Sequence, residues 1–444
     1  MGAVRVERGF AKEKGDDDVS KPPSVPKILF LVHRTPYPPN RGHRIRSYHL
    51  IKYLAQFAVV DTAFLADEPV TDGIRAGLRE LCERVVAVPV DPRLRWWRGL
   101  RSLAAGRTAT EGLFYSPRLR REIAALRSAR DYDWVIAYCS SMAQYLDYAG
   151  VPRDRCVLDL VDVDSQKFFD YASWARWPAR ALWRWEGRRL RRREALLARR
   201  VRWLTLVSEA ECRVYRQFCP ADNVVAVENG VDGDYFHPRA VQGRMPAPRT
   251  NPRDDAATPP SCVFTGALDY RANVDGLMWF LSEVWPSVRA RRPEAVFYIV
   301  GGGAGKELRE AAARAGASLT HDVPDVRPYL AGGVPVAPLR IARGVQNKVL
   351  EGMAMARPVI ASPQALEGLA VTPGTDVLEA REPSEWVTAL ERLWDSPSER
   401  RRLGQNARRQ VEARYTWNAR LRPLQMLLSL AEPKTPSLLA SERT

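Results

Sequence analysis

Short, unbroken apolar runs recur along the chain, and amphipathic stretches fill the gaps between them. Lys27-Ile-Leu-Phe-Leu-Val32 is the first such run. Apolar positions without alternation mark a strand buried on both faces of a parallel sheet. Val59–Leu65, Val85–Val90, Trp134–Tyr138, Cys156–Val161 and Leu204–Val207 repeat the pattern. Helical spacing intervenes: Arg46 to Phe57 places Leu50, Tyr53, Leu54 and Phe57 along one side. Strand, loop and helix in alternation predict a doubly wound α/β sheet, with ligands beyond the strand C-termini. A second alternation starts at Val263-Phe-Thr265 and Gly266. It runs through a helix over 273–288, a strand Ala295–Val300 closing on Gly301-Gly-Gly303, and short strands at Leu319–Val323 and Val334–Leu339. Residues 239–260, rich in Pro, Arg, Asp, Asn and Ala without apolar period, read as a linker.

One stretch of the second half carries most of the chemistry. Arg340-Ile-Ala-Arg-Gly-Val-Gln-Asn-Lys-Val-Leu-Glu-Gly-Met-Ala354 reads as loop then helix. Gly344 permits the turn. Val349, Leu350, Met353 and Ala354 form the buried side, and Pro358 ends the helix before the strand-like Val359-Ile360-Ala361. A helix start offers backbone N–H groups with no partner inside the helix and the positive end of its dipole, which suits a phosphate. The amides around Asn347, Lys348 and Leu350 are those groups here, and the Lys348 ammonium adds a charge. Glu351, one turn on, can accept two hydrogen bonds from a ribose diol. The stretch predicts a grip on a nucleotide diphosphate.

Lys348-Val-Leu-Glu-Gly-Met-Ala-Met-Ala-Arg-Pro-Val-Ile-Ala361 is similar to the donor-binding segment of retaining glycosyltransferases of family 4, group 1, which have the GT-B fold. It most resembles the group associated with exopolysaccharide clusters and PEP-CTERM sorting. The resemblance, covering about Lys27 to Leu430, implies two Rossmann-like doubly wound domains facing across a cleft. Residues 26–238 would form the acceptor-side domain and 261–412 the nucleotide-sugar donor side. Residues 413–430 would cross back to the first domain, with tails at 1–25 and 431–444. Pro36-Tyr-Pro-Pro39 with the following Gly42 resembles the opening of these enzymes and implies that Gly42 faces the donor diphosphate; a plain turn glycine is the alternative. Val227–Pro238 resembles the approach to the interdomain hinge. The backbone near Val323 is implied to meet the base, and Glu351 to hold the donor ribose.

The chain departs from the family in places. Two glutamates with seven residues between them are usual, and the first position is Arg343 here. Ala267 stands where an arginine usually grips the diphosphate; Arg271, Lys348 and Arg340 are candidates to replace that charge. Tyr138-Cys-Ser-Ser-Met142 lacks the family's histidine near the sugar. A retaining transfer without metal requires protein cations and helix-end amides to neutralise the leaving diphosphate. Arg343, Lys348 and Glu351 are accordingly the expected catalytic residues, with Arg343 at the sugar or its phosphate. No cofactor is expected beyond the nucleotide-sugar itself. Asp159, Asp162 and Asp164 lie along one extended segment without a nearby histidine, a poor metal-ligand set; Asp164 and Ser165 suit loop or helix-cap roles.

Charge changes the picture next. The formal net charge is +16, and 68 Lys and Arg face 52 Asp and Glu. Such a balance points to an anionic partner. No nucleic-acid-reading motif accompanies it, so nucleic acid is not the expected partner. Trp and Arg concentrate in two places: Arg93-Leu-Arg-Trp96-Trp97-Arg98, and Trp174 to Trp203 with Trp183 and Arg184. Trp183, Leu190, Leu197 and Val201 make a narrow apolar stripe. This predicts either a solvated helix packed on the first domain or a helix lying on an anionic membrane face, near a lipid-linked or oligosaccharide acceptor. The first 25 residues show no apolar secretory core, and the six cysteines form no Cys-x-x-Cys pair. A cytoplasmic protein with reduced thiols, peripheral at the inner face of the cell membrane, is expected.

The function expected is transfer of a sugar from a nucleotide-sugar to a lipid-linked glycan in exopolysaccharide biosynthesis. A non-catalytic nucleotide-sugar-binding scaffold and a nucleotide-sugar epimerase on the same fold are the alternatives.

Overall fold

The computed structural model describes residues 25–39, 42–240, 259–321, 323–342 and 345–431. Most of the expected tails and linker lie outside the described residues, as do Arg343 and Gly344. The apolar runs become two parallel sheets. The first holds β1 (Lys27–Val32), β2 (Val59–Ala66), β3 (Arg84–Pro89), β4 (Trp134–Tyr138), β5 (Cys156–Val161), β6 (Trp203–Leu206) and β7 (Val224–Ala226), in the order β3-β2-β1-β4-β5-β6-β7. The second holds β8 (Ser261–Thr265), β9 (Val296–Val300), β10 (Ser318–Thr320), β11 (Val334–Ala337), β12 (Ile360–Ala361) and β13 (Leu378–Glu379), in the order β10-β9-β8-β11-β12-β13. Each sheet reverses its strand order once, between β1 and β4 and between β8 and β11. Ligand crevices of open α/β sheets form at such reversals.

Two strands were not legible in the sequence. β7 and β13 are edge strands of three and two residues, too short to carry a period. Residues 383–412 carry helical spacing in the sequence, and that run is two helices, Pro383–Asp395 and Pro397–Arg414. Ser396 breaks it: its side chain accepts from Glu399 N while Pro397 starts the second helix.

The helix Trp417–Leu427 belongs to the first domain's core despite its place in the chain. Trp417, Leu421, Leu424 and Leu428 are buried in one cluster with Ile28, Phe30, Leu50 and Leu54. Tyr53 donates to Gln425 Oε1 at 3.0 Å, and Trp203 Nε1 to Leu427 O at 3.0 Å. The chain therefore crosses between the domains twice, and the crossings pair: Val231 N donates to Tyr415 O at 2.7 Å, and Val231 bridges Thr416 in parallel. Gly230 permits this approach. A Cβ there would sit 2.5 Å from the Trp417 nitrogen.

The arginine-rich helix Ala179–Leu197 packs along the helix Asp164–Trp174. Its buried side includes Leu190 and Leu197 but also two glutamates. Glu186 accepts from Ala109 N and Glu194 from Ser165 N, each at 3.1 Å. Those amides lie in the first turns of neighbouring helices, where a carboxylate satisfies otherwise unbonded donors.

Candidate functional site

Lys348 and Glu351 share the helix Asn347–Ala354, which follows β11 at the second sheet's reversal point. Val349, Leu350, Met353 and Ala354 anchor that helix in the core. Anchoring one face leaves Asn347 exposed and Lys348 and Glu351 half-buried. Lys348 Nζ donates to Asn273 Oδ1 at 3.0 Å, and Asn273 Nδ2 donates to Ala267 O at 2.8 Å. The Lys348 ammonium also lies 5.3 Å from the centre of the Phe264 ring. Strand β8, the glycine after it and the helix Arg271–Trp279 thus converge on one lysine. Burial pushes Lys348 down to about 8, opposed by the Glu351 charge. Burial pushes Glu351 up to about 7, opposed by Lys348. Although Glu351 keeps an accessible edge, the dense protein around its carboxyl disfavours its charge.

The remaining expected donor-side residues fall around this corner with different accessibility. Gly266 leads out of β8 with φ +150°, and a Cβ on it would meet Asn273 Nδ2 at 3.1 Å and Lys348 Cε at 3.5 Å. Leu350's side chain is in the core, and its N–H is directed to Gln346 O at 3.3 Å. Only the amides ahead of it, those of Asn347 and Lys348, lead the helix. Arg271 starts the helix after β8 and is exposed. Arg340 is exposed and stands 4.0 Å from Asp275 Oδ1. Val323 is half-buried against a small cluster containing Tyr298 and Tyr329. Gly42 begins the helix Gly42–Leu54 after β1. The triple glycine after β9 meets protein backbone: a Cβ on Gly301 would fall 1.8 Å from Gly266 O, and Leu268 N donates to Gly302 O at 2.7 Å.

A cavity of about 440 Å³ occupies the first sheet's reversal point. His33 lines it from the tip of β1, Cys139 and Ser140 from the tip of β4, and Asp162, Asp164 and Lys167 from beyond β5. The sequence reading missed His33. β1 and β4 are neighbours with Val32 opposite Tyr138, so the residues after each meet: His33 Nε2 lies 4.0 Å from Cys139 Sγ. The tip of β4 has no histidine, but the adjacent tip of β1 does, a closeness that only the pairing register reveals. Its ring stacks on Tyr138 at 5.7 Å and meets the Phe114 edge at 5.5 Å.

The acids of this segment are each engaged. Asp159 pairs with Arg46 at 2.6 Å. Asp162 pairs with Lys167 at 2.9 Å, and Asp164 accepts from Ser140 Oγ at 2.8 Å. Asp164 occupies the first turn of its helix. Two cavity residues have left-handed backbone, Cys139 with φ +74° and Val161 with φ +70°. Such angles are costly for a β-branched residue, and strain of this kind concentrates at functional sites. Burial raises the Cys139 thiol well above its usual range, with Asp164 adding to the effect, so it stays protonated. All six cysteines are free. Among the described residues, no group of three or more His, Cys, Asp or Glu side chains is placed to hold a metal ion.

Trp and Arg cover the flank of this cavity. On the helix Pro92–Ala104, Trp96 is 68% and Trp97 67% exposed. Trp183 is half-buried against Phe168 at 5.7 Å and Tyr171 at 6.0 Å. Arg184 is exposed, and the tryptophans turned to solvent beside it are Trp177 and Trp185. The two surfaces adjoin through the short helix Ala109–Leu113, where Glu111 pairs with Arg193 at 2.7 Å. No helix among the described residues is long and apolar enough to cross a membrane.

Residues 259–396 match the family described as glycosyl transferases group 1. The described residues have the GT-B fold of several solved structures. Alr3699/HepE of Anabaena, solved with UDP and glucose, covers 91% of this chain and 99% of its own at 16% identity, with a TM-score of 0.59. Sucrose-phosphate synthase of Thermosynechococcus elongatus covers 91% and 98% at 17% identity, with a TM-score of 0.58. WaaG, a glycosyltransferase involved in lipopolysaccharide biosynthesis, covers 90% and 99% at 13% identity, with a TM-score of 0.54. No curated protein sequence matches the chain.

Proposed function

We propose that this chain, whose residues 259–396 match the glycosyl transferases group 1 family, is a retaining glycosyltransferase. It moves a sugar from a nucleotide-sugar to a lipid-linked glycan in exopolysaccharide biosynthesis. The observation that carries this reading is the corner formed by Lys348, Asn273 and Gly266, with Glu351 one turn along the same helix. A half-buried ammonium beside the leading amides of a helix neutralises a departing diphosphate without reorganising. Glu351 holds the ribose hydroxyls. Alr3699/HepE, a protein of the same fold, is solved with UDP-glucose, which makes a uridine nucleotide the first donor to test. The transfer uses these protein groups and needs no cofactor. Arg343, outside the described residues, is assigned to the sugar or its phosphate.

The acceptor enters at the first-domain cavity, where His33, Ser140, Asp162 and Asp164 offer hydrogen bonds to sugar hydroxyls and Phe114 and Phe168 offer apolar walls. The exposed Trp96, Trp97, Trp177 and Trp185, among arginines, rest on an anionic bilayer carrying that acceptor.

Calorimetric titration with UDP-glucose, GDP-mannose, ADP-glucose and dTDP-glucose tests the reading. One donor is expected to bind, and Lys348→Ala to abolish that binding. Absence of binding by every donor overturns the assignment. Binding followed by transfer of labelled sugar into an inner-membrane lipid extract separates the enzyme from a scaffold.

A further inference from the structure

We infer that Tyr235, carried by the segment joining the two domains, forms a wall of the nucleoside pocket and contacts the base and ribose of the donor. The inference rests on the donor reading above and adds to it a residue from outside the second domain.

Tyr235 is bracketed by the two places where a nucleoside would lie. On one side is the loop after β10, which carries Val323. The Tyr235 hydroxyl meets Asp325 Oδ1 at 3.2 Å, two residues beyond Val323. On the other side is the helix of Lys348 and Glu351. Arg408 Nη1 donates to Gly233 O at 3.0 Å, to Phe236 O at 2.8 Å and to Ala354 O at 2.6 Å. One nitrogen thus clamps the joining segment against the end of that helix, one turn past Glu351. Burial, then Asp325, pushes the Tyr235 phenol above its usual range, and Glu351 adds least.

The ring is held rigidly but not enclosed. The Arg327 guanidinium covers one face at 3.9 Å and donates to the Tyr235 carbonyl at 3.1 Å. Phe236 meets it edge-on at 4.9 Å. Yet Tyr235 remains 40% exposed. Its neighbour Phe236 supplies the packing against the second domain's core. A tethered aromatic with an open side is what base stacking requires, and stacking tolerates any base because each has a π face.

The test separates the nucleoside end from the phosphate end. UDP, GDP, ADP and dTDP are titrated calorimetrically into the wild type, and the tightest is carried forward beside inorganic pyrophosphate. Tyr235→Ala is expected to weaken the nucleotide about tenfold and to leave pyrophosphate within about twofold. Tyr235→Phe keeps near-wild-type affinity, because the ring is retained. Lys348→Met weakens both ligands. Tyr235→Leu, which preserves apolar bulk beneath Arg327, gives the same split as Tyr235→Ala if the alanine variant does not fold. Unchanged nucleotide affinity in the alanine or leucine variant overturns the inference, and so does an equal loss for both ligands, which marks a purely structural tie. A wild type that binds none of the four nucleotides overturns the donor reading itself, and that failure is visible without any Tyr235 variant.

Discussion

The Arg46 guanidinium meets the Asp159 carboxylate at 2.6 Å, and both side chains are almost wholly buried. A second bond runs from Arg46 Nε to Asp159 Oδ1 at 3.3 Å. Arg46 Nη1 also donates to Asn229 Oδ1 at 2.9 Å. One side chain therefore ties the first helix to β5 and to the segment leading into the second domain. Arg46 and Asn229 both line the first-domain cavity. The cavity wall and the interdomain crossing are held by the same group.

Replacing Arg46 by Met should leave Asp159 buried without its cation. A broken buried pair of this kind costs about 3–5 kcal/mol. Urea unfolding should report that loss, whereas Arg46→Lys, which keeps a charge but loses the paired geometry, should lose less. A methionine variant as stable as the wild type would mean that Asp159 finds another partner.

Donor binding should follow a bell-shaped pH profile. The diphosphate needs charged Lys348, whose pKa is pushed down to about 8, so affinity falls as pH rises through that value. The ribose is better held by ionised Glu351, pushed up to about 7, so affinity also falls as pH drops below it. Glu351→Gln should flatten the acid limb and move the alkaline limb to lower pH, because Lys348 loses the charge that holds its pKa up, as read by calorimetry across pH 5.5 to 9.5.

His49 stacks on Trp417 at 4.6 Å with rings 10° apart, and its Nε2 lies 3.7 Å from Asp232. Burial pushes it down to about 4, against the pull of Asp232. The folded state therefore prefers neutral His49, while the unfolded chain protonates it near 6.5. Above pH 6.5 this costs nothing. Stability should fall as pH drops from 6.5 to 4, by up to about 3 kcal/mol from this group. His49→Phe keeps the stack and should lose that part of the acid sensitivity, measured by thermal unfolding at several pH values.

Gly301→Ala should destabilise the second domain, because its methyl would overlap the Gly266 carbonyl at 1.8 Å. Both neighbours are backbone, so the loops must move apart, at about 1–3 kcal/mol. Nucleotide affinity should drop as well, since Gly266 abuts Lys348. Thermal unfolding together with titration checks both effects.

Trp96→Ala combined with Trp97→Ala should release the protein from vesicles containing anionic lipid, in a sedimentation assay, without changing its unfolding temperature. Both indoles are exposed, so their removal takes little from the core. Retained sedimentation by the double variant would place the membrane contact elsewhere. Raising salt should weaken the remaining arginine attraction.

The sequence alone determined the parallel two-domain plan, because unbroken apolar runs demand burial on both faces. It also singled out Lys348 and Glu351, which share one local helix and so can be related by spacing. The tertiary structure decided what comes from strands far apart in the chain. His33 reaches the cavity through the β1–β4 register, Asn273 meets Lys348 across the second sheet's reversal point, and the segment around Tyr235 is held to the end of the Glu351 helix because Arg408 bonds Gly233 O, Phe236 O and Ala354 O. Those contacts arise from how sheets order their strands and how a long helix returns to hold a distant loop. Neither periodicity nor a local motif records such closeness, because both describe neighbours along the chain rather than neighbours in space.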